Sequence, residues 1–180
     1  MIIGLMGRAG SGKTYVQNAI ANLFDDILDL DHLGHQLLLK EPVKSALQGK
    51  FGAKIMNNGE VSREQLRKIV FSSPKQLKVL NNEVHPFMKI EAQKWAQKTV
   101  SGLIVGALIY QIKLEKLCNI IITIDATTEE IIMKQPNYDD ILQYQESREW
   151  YNSHANIIFR NTWDQLFACD CRKKIKKIIT

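Results

Sequence analysis

A chain of 180 residues, 45% apolar and 24% charged, carries enough apolar material for one substantial core with elaborations, the balance of an ordinary soluble globular protein. It has no run of 18 or more apolar residues, and Met1 leads straight into an apolar strand pattern rather than a basic, signal-type segment, so no membrane partner and a cytoplasmic location are expected. The formal charge of +5 suits polyanionic small molecules, but nucleic acid is not expected as a partner: much of the excess lies in Arg172, Lys173, Lys174, Lys176 and Lys177, opposite the helical apolar face of Leu166, Phe167, Cys171, Ile175, Ile178 and Ile179.

Ile2 to Met6 reads as a buried strand, and it runs into Gly7-Arg8-Ala9-Gly10-Ser11-Gly12-Lys13-Thr14, a complete G-x-x-x-x-G-K-[ST] loop. In such a loop the glycines let the backbone turn its N–H groups inward around phosphate oxygens, while Lys13 reaches the β- and γ-phosphates and the Thr14 hydroxyl can ligate Mg²⁺. From Thr14 onward Val16, Ile20, Leu23 and Phe24 fall on one helical face, which points the positive end of the helix dipole at the bound anion. A loop set between a buried strand and a helix implies a nucleoside triphosphate ligand.

Asp26-Ile27-Leu28-Asp29 forms a short second strand, followed by Leu30-Asp31. Strand residues two apart share a face, so Asp29 and Asp31 can both look toward the phosphate pocket, one accepting a hydroxyl proton and one supporting metal or water. Asp31 also stands before a helical pattern, which leaves a surface turn or helix cap as the alternative. From Leu33 to about Lys98 amphipathic helical patterns dominate, interrupted at Asn57-Asn58-Gly59 and at Ser72-Ser73-Pro74. Leu103 to Tyr110 predicts a third strand despite its central Gly106, Asn119 to Asp125 a β-branched fourth, and Asn156 to Phe159 the last. Cys118, Cys169 and Cys171 lack a metal-binding spacing and are expected to be reduced and structural. No heptad seam appears, so a monomer is expected.

The order of residues resembles the dephospho-coenzyme A kinase family, whose sequences read I-G-L-T-G-G-I-x-S-G-K-S/T followed by I-D-A-D. Here those positions are Ile3 to Thr14 and Leu28-Asp29-Leu30-Asp31. His35 matches the basic position of the family's D-x-x-[AS]-[RH] segment, and Phe51-Gly52 its F-G. Gly59-Glu60-Val61-Ser62-Arg63 with Leu66 is similar to G-x-[IL]-[DN]-R-x-x-L, and Val70-Phe71 and His85-Pro86 follow in family order. Asn119 to Ala126 resembles the strand ending V-D-A, Gln145 a lid-end glutamine, and Asn161 the late asparagine of the adenine-side loop.

The resemblance implies an α/β fold: a P-loop kinase core with a parallel sheet flanked by helices, made of residues 1–32, 99–128 and 152–180. A helical acceptor-binding subdomain would occupy 33–98 and a shortened lid 129–151. It also implies transfer of the ATP γ-phosphoryl group to the ribose 3′-hydroxyl of dephospho-coenzyme A, with ATP and Mg²⁺ as cofactors. Lys13 would neutralise developing charge, Asp31 would act as base, and Asp29 with Thr14 would serve the metal. His35, Arg63, His85 and Lys89 would face the acceptor, although His35 and Arg63 read equally well as helix-surface residues and His85 before Pro86 as satisfying a turn.

Departures gather in the second half. The family's D-x-P-L-L-F-E segment is replaced by Val105-Gly106-Ala107-Leu108-Ile109-Tyr110-Gln111, without the acid, the proline or the glutamate. The lid is shorter by roughly two helical turns and holds no arginine between Asp125 and Gln145: Lys134 takes the first lid arginine's position, and Arg148 just beyond is placed to compensate. Arg8 stands where the family usually has glycine, and its side chain is expected to face solvent, with a charge near the phosphates as the alternative. Two further readings stay open: a nucleotide-binding homologue that has lost efficient transfer, and a kinase for another nucleoside or nucleotide. Asp31-His32-Leu33-Gly34 mimics the D-x-x-G of GTPases, but no Asn-Lys-x-Asp sequence follows it.

Overall fold

The computed structural model describes residues 1–179, the side chain of Asp140 excepted. Its first strand, β1 (Ile2–Met6), is buried at every position, and the glycine loop delivers the chain into α1 (Lys13–Ile20). Strand β2 (Asp26–Asp29) passes directly into α2 (Leu30–Leu37). Then come α3 (Glu41–Phe51), a minimal hairpin of β3 (Met56–Asn57) and β4 (Glu60–Val61), α4 (Arg63–Val70) and the long α5 (Pro74–Lys98). The remainder comprises β5 (Gly102–Val105), β6 (Ile120–Asp125), α6 (Thr128–Lys134), α7 (Asp139–Leu142), α8 (Arg148–Ser153), β7 (Ile157–Arg160) and α9 (Phe167–Ile179).

The chain divides into two compact units, Met1–Leu30 with Gln93–Thr180 and Asp31–Ala92. The second of these boundaries falls inside α5, whereas the divisions read from sequence are 32/33 and 98/99, the latter at the end of that helix.

In the first unit all five strands are parallel, in the order β2-β5-β1-β6-β7. Parallel strands need a crossover between them, and helices then cover the faces, which is why β1, β5 and β6 read as predominantly apolar runs rather than alternating ones. Ile3, Leu5, Leu103, Val105, Ile122 and Ile124 meet Val16 and Ile20 of α1 and Phe167, Cys171 and Ile175 of α9 in the main core. Each such aliphatic side chain, taken fully out of water, contributes about 1.5–3 kcal/mol. The basic residues of α9 lie opposite this buried stripe, and Arg172 reaches across to the Ala19 carbonyl of α1 at 2.6 Å.

The chain leaves β1 in one direction to reach β5 and β2 and returns on its other side with β6 and β7. In an open parallel sheet that reversal opens a crevice beyond the carboxyl ends of the central strands, and here the glycine loop occupies it.

Three local expectations are corrected. The third strand stops at Val105 rather than Tyr110: after Gly106 N–H bonds the Leu5 carbonyl, the chain coils through Ile112 N–H to Leu108 O and Leu114 N–H to Ile109 O. Ile109, Ile112 and Leu114 are buried by that turn, so the apolar run is core without being strand. Asn58-Gly59, read as a breaker, is a hairpin turn with both residues at positive φ (50° and 80°), joining strands too short to show a period of two. Pro86 marks no turn, because it sits inside α5.

Candidate active site

The glycine loop begins where β1 ends. At Gly7 a Cβ would lie 2.6 Å from the Ile124 carbonyl oxygen, so the loop can press against β6 only without a side chain there. Gly12 caps α1 in the left-handed region at φ 104°, and a Cβ on it would stand 2.5 Å from Asn161 Nδ2. These positions demand glycine for both conformation and space.

Five side chains, two of them the loop's own Lys13 and Arg8, fix the loop in the surrounding unit. Asn161, buried at the end of β7, donates from Nδ2 to Ser11 O at 2.9 Å. Lys13 folds back, Nζ donating to Gly7 O at 3.0 Å and to Arg8 O at 2.9 Å. Ala9 N–H donates to Gln145 Oε1 at 2.8 Å. Ile131 of α6 flanks Gly10, where a Cβ would meet its Cγ2 at 2.7 Å. The fifth is Arg8, and here the expectation of a solvent-facing side chain is overturned: Arg8 is buried, donating from Nη2 to Ala126 O at 2.7 Å and from Nη1 to Thr128 Oγ1 at 2.8 Å. A carbonyl and a hydroxyl at the β6–α6 junction thus draw the guanidinium inward. Burial pulls Arg8 below its ordinary pKa, with Glu149 acting the other way.

Beside Arg8 lies the group that sequence reading noticed only as the end of a strand. Asp125 is the last residue of β6 and is buried. It accepts from Arg148 Nε at 2.6 Å and Nη2 at 2.7 Å, a bidentate pair, and from Asn152 Nδ2 at 3.1 Å. Arg160 Nε stands 3.7 Å from Oδ2, the oxygen that also accepts from Arg148 Nη2. The bound Arg148 guanidinium holds the Asp125 carboxyl below the usual carboxylate range, Asn152 and Arg160 adding to the effect while burial opposes it. Arg160 continues the network to Glu130 at 2.6 Å, and Glu130 closes a reciprocal cap with Thr127 at the start of α6. An acid ending a fully buried parallel strand was the available sequence signal, since such a group needs cationic partners.

Behind this network a cavity of about 10 Å³ is lined by Arg8, Thr123, Asp125, Arg148, Tyr151 and Asn152. That is about the room one water needs.

The remaining predicted residues lie as follows. Thr14 is exposed in the first turn of α1. Asp29 ends β2, half-buried, in register with Val105 of β5, which in turn pairs with Leu5 of β1. Asp31 falls in the first turn of α2, so the two-residue alternation invoked for Asp29 and Asp31 does not hold: helical geometry has begun between them. In the second unit Arg63 Nη2 and His35 Nε2 form a hydrogen bond of 2.9 Å, joining two residues 28 positions apart. His85 and Lys89 lie one turn apart on α5, and burial lowers the His85 pKa. Lys134 ends α6 and is exposed, with no ion pair among the described residues. No group of three or more His, Cys, Asp or Glu side chains among the described residues could hold a metal, and no described helix is long and apolar enough to cross a membrane.

The family model for dephospho-CoA kinase matches residues 1–164. The chain belongs to the dephospho-CoA kinase family. It is 32% identical over 175 residues to the dephospho-CoA kinase of Mannheimia succiniciproducens, covering 91% of this chain and 82% of that one. Its fold is similar to a crystal structure from Thermus thermophilus (TM-score 0.75, 22% identity, covering 99% of this chain and 96% of the other). It is also similar to the dephospho-CoA kinase of Campylobacter jejuni (TM-score 0.65, 19% identity, 98% and 96%). In this member of the family, Arg8 ties the glycine loop to the β6–α6 junction, and the Asp125–Arg148 pair ties the end of β6 to α8.

Proposed function

We propose that this family member transfers the γ-phosphoryl group of ATP to the ribose 3′-hydroxyl of dephospho-coenzyme A, the last step of coenzyme A biosynthesis. The observation that carries the reading is a complete phosphate loop, held from β6, β7 and the 129–151 segment, in a chain whose family match spans residues 1–164.

Phosphoryl transfer demands alignment and charge stabilisation more than covalent chemistry from the protein. Backbone N–H groups of residues 7–14 and Lys13 would hold the β- and γ-phosphates, Lys13 exchanging its loop carbonyls for phosphate oxygens. Mg²⁺ fits the donors present. Thr14 offers an exposed hydroxyl and Asp29 a half-buried carboxylate, both hard oxygen ligands. With so few protein ligands the ion would keep water and phosphate oxygens in its shell, and it would supply neutralisation of the developing charge. Asp31 at the head of α2 is the assigned base. The acceptor would be held by His35 and Arg63, whose hydrogen bond presents them as one unit, and by His85 and Lys89. Lys134, Gln145 and Arg148 would close the site from the 129–151 segment, with Arg148 orientated by Asp125 in place of a lid arginine. A cytoplasmic monomer is the expected setting.

The test is incubation with ATP, Mg²⁺ and dephospho-coenzyme A, with products resolved by mass spectrometry and Asp31→Asn run in parallel. Coenzyme A should form, and kcat should fall at least 100-fold in the variant, within the range for losing a general base. A folded wild-type chain that binds ATP and forms no coenzyme A would overturn the assignment. One observation favours a second reading, nucleotide binding without efficient transfer: Val105, buried and paired in register with Asp29, stands where the family carries an acid. ATP binding without ADP formation in the presence of the acceptor would support it, and the same product analysis across nucleosides would expose another kinase.

A further inference from the structure

The 129–151 segment brings one carboxamide to the phosphate loop whose NH₂ the loop contact leaves unused. Gln145 reaches Ala9, the third residue of the loop, and the bond is 2.8 Å from Ala9 N to Oε1. A backbone N–H can only donate, so the carboxamide oxygen is the atom that faces Ala9, and the amide NH₂ is directed elsewhere from the same carbon. That NH₂ makes no hydrogen bond to the described residues, and Gln145 is half-buried rather than extended into solvent. The position is well fixed: Gln145 N–H donates to Leu142 O at 3.1 Å, Leu142 is buried with Ile131 and Ala126, and three residues later Arg148 is clamped by Asp125. No arginine stands between Asp125 and Gln145, and Lys134 is exposed at the far end of α6.

We propose that Gln145 is the γ-phosphate sensor of this site: its oxygen holds the loop at Ala9 and its NH₂ donates to a terminal phosphate oxygen of the bound nucleoside triphosphate. The proposal rests on the kinase reading only in taking a nucleoside triphosphate as the ligand. A neutral amide supplies orientation and a hydrogen bond without the charge that a lid arginine brings, so it selects the triphosphate over the diphosphate more than it accelerates transfer. Arg8 prepares the same edge of the loop from beneath, by tying it to Ala126 and Thr128.

The experiment compares Gln145→Glu and Gln145→Met with wild type by calorimetric titration with Mg²⁺ and either ADP or a non-hydrolysable ATP analogue, without acceptor. Gln145→Glu keeps an oxygen for Ala9 N–H but replaces the donor with a negative oxygen; Gln145→Met removes both. The analogue should bind at least 10-fold more weakly to Gln145→Glu and about 5-fold more weakly to Gln145→Met, with ADP affinity within 3-fold of wild type in both. Thermal unfolding midpoints without nucleotide establish that the variants are folded. Analogue binding by Gln145→Glu within 2-fold of wild type would reduce Gln145 to a loop latch and overturn the proposal. So would equal losses for ADP and the analogue. Because the readout is nucleotide binding alone, a failure to form coenzyme A would count against the acceptor assignment and leave this result standing.

Discussion

Replacing Asp125 by alanine removes the acceptor of three hydrogen bonds, two of them from one guanidinium, at a site only 3% exposed. Deleting one partner of a fully buried ion pair costs about 3–5 kcal/mol, chiefly because the other charge is stranded. Here the stranded groups have an escape: the side chains of Arg148 and Arg160 are 35% and 42% exposed and can turn to water. What is lost is the charge-assisted bonding itself together with the small cavity left behind, so the expected destabilisation is about 2–3 kcal/mol. With a urea m-value of about 2–3 kcal/mol/M, the midpoint of unfolding should fall by roughly 1 M. Arg148→Ala should cost less than Asp125→Ala, since Asn152 and Arg160 still face the carboxylate. The double variant should reveal a coupling of about 1.5–3 kcal/mol, measured by urea unfolding followed by circular dichroism. A coupling below about 0.5 kcal/mol, the level of an exposed pair, would refute the claim that Asp125 holds Arg148 in place.

Asp125 also sets a pH dependence. Its carboxyl titrates below the unfolded value in the folded chain, so the stability it confers is present above about pH 4 and is lost as pH falls through the depressed folded value. Wild-type urea midpoints should therefore drop between about pH 5 and pH 2, and Asp125→Ala should drop less; parallel curves for the two proteins would contradict this. Gly12→Ala tests the loop: at φ 104°, with a Cβ 2.5 Å from Asn161 Nδ2, it should cost at least ~2 kcal/mol and abolish tight ATP binding. Wild-type titration behaviour from that variant would mean the loop is not held as described.

How much was legible depended on the range of the interactions. The phosphate loop was readable because eight consecutive residues carry its chemistry and both flanking elements have local periodicity. The sheet was readable in outline because strands covered on both faces must be predominantly apolar, as Ile120-Ile121-Ile122-Thr123-Ile124 is. The same rule misled at Leu108 to Tyr110, where Ile109 is buried by a turn and composition cannot distinguish the two. Thr127 and Glu130 cap α6 across three residues, and only the structure shows Glu130 shared with Arg160.

The sequence by itself determined that a complete G-x-x-x-x-G-K-[ST] loop follows a buried first strand, because glycine conformation, lysine charge and strand burial are properties of neighbouring residues, and its resemblance to the family placed it among the kinases. Tertiary structure alone decided what surrounds that loop. Arg8 meets Thr128 across 120 positions, Ala9 meets Gln145 across 136 and Ser11 meets Asn161 across 150. An arginine is drawn inside, and an aspartate kept charged there, only by partners that no local pattern announces: a buried polar group is tolerated where folding brings its counterpart within hydrogen-bond reach.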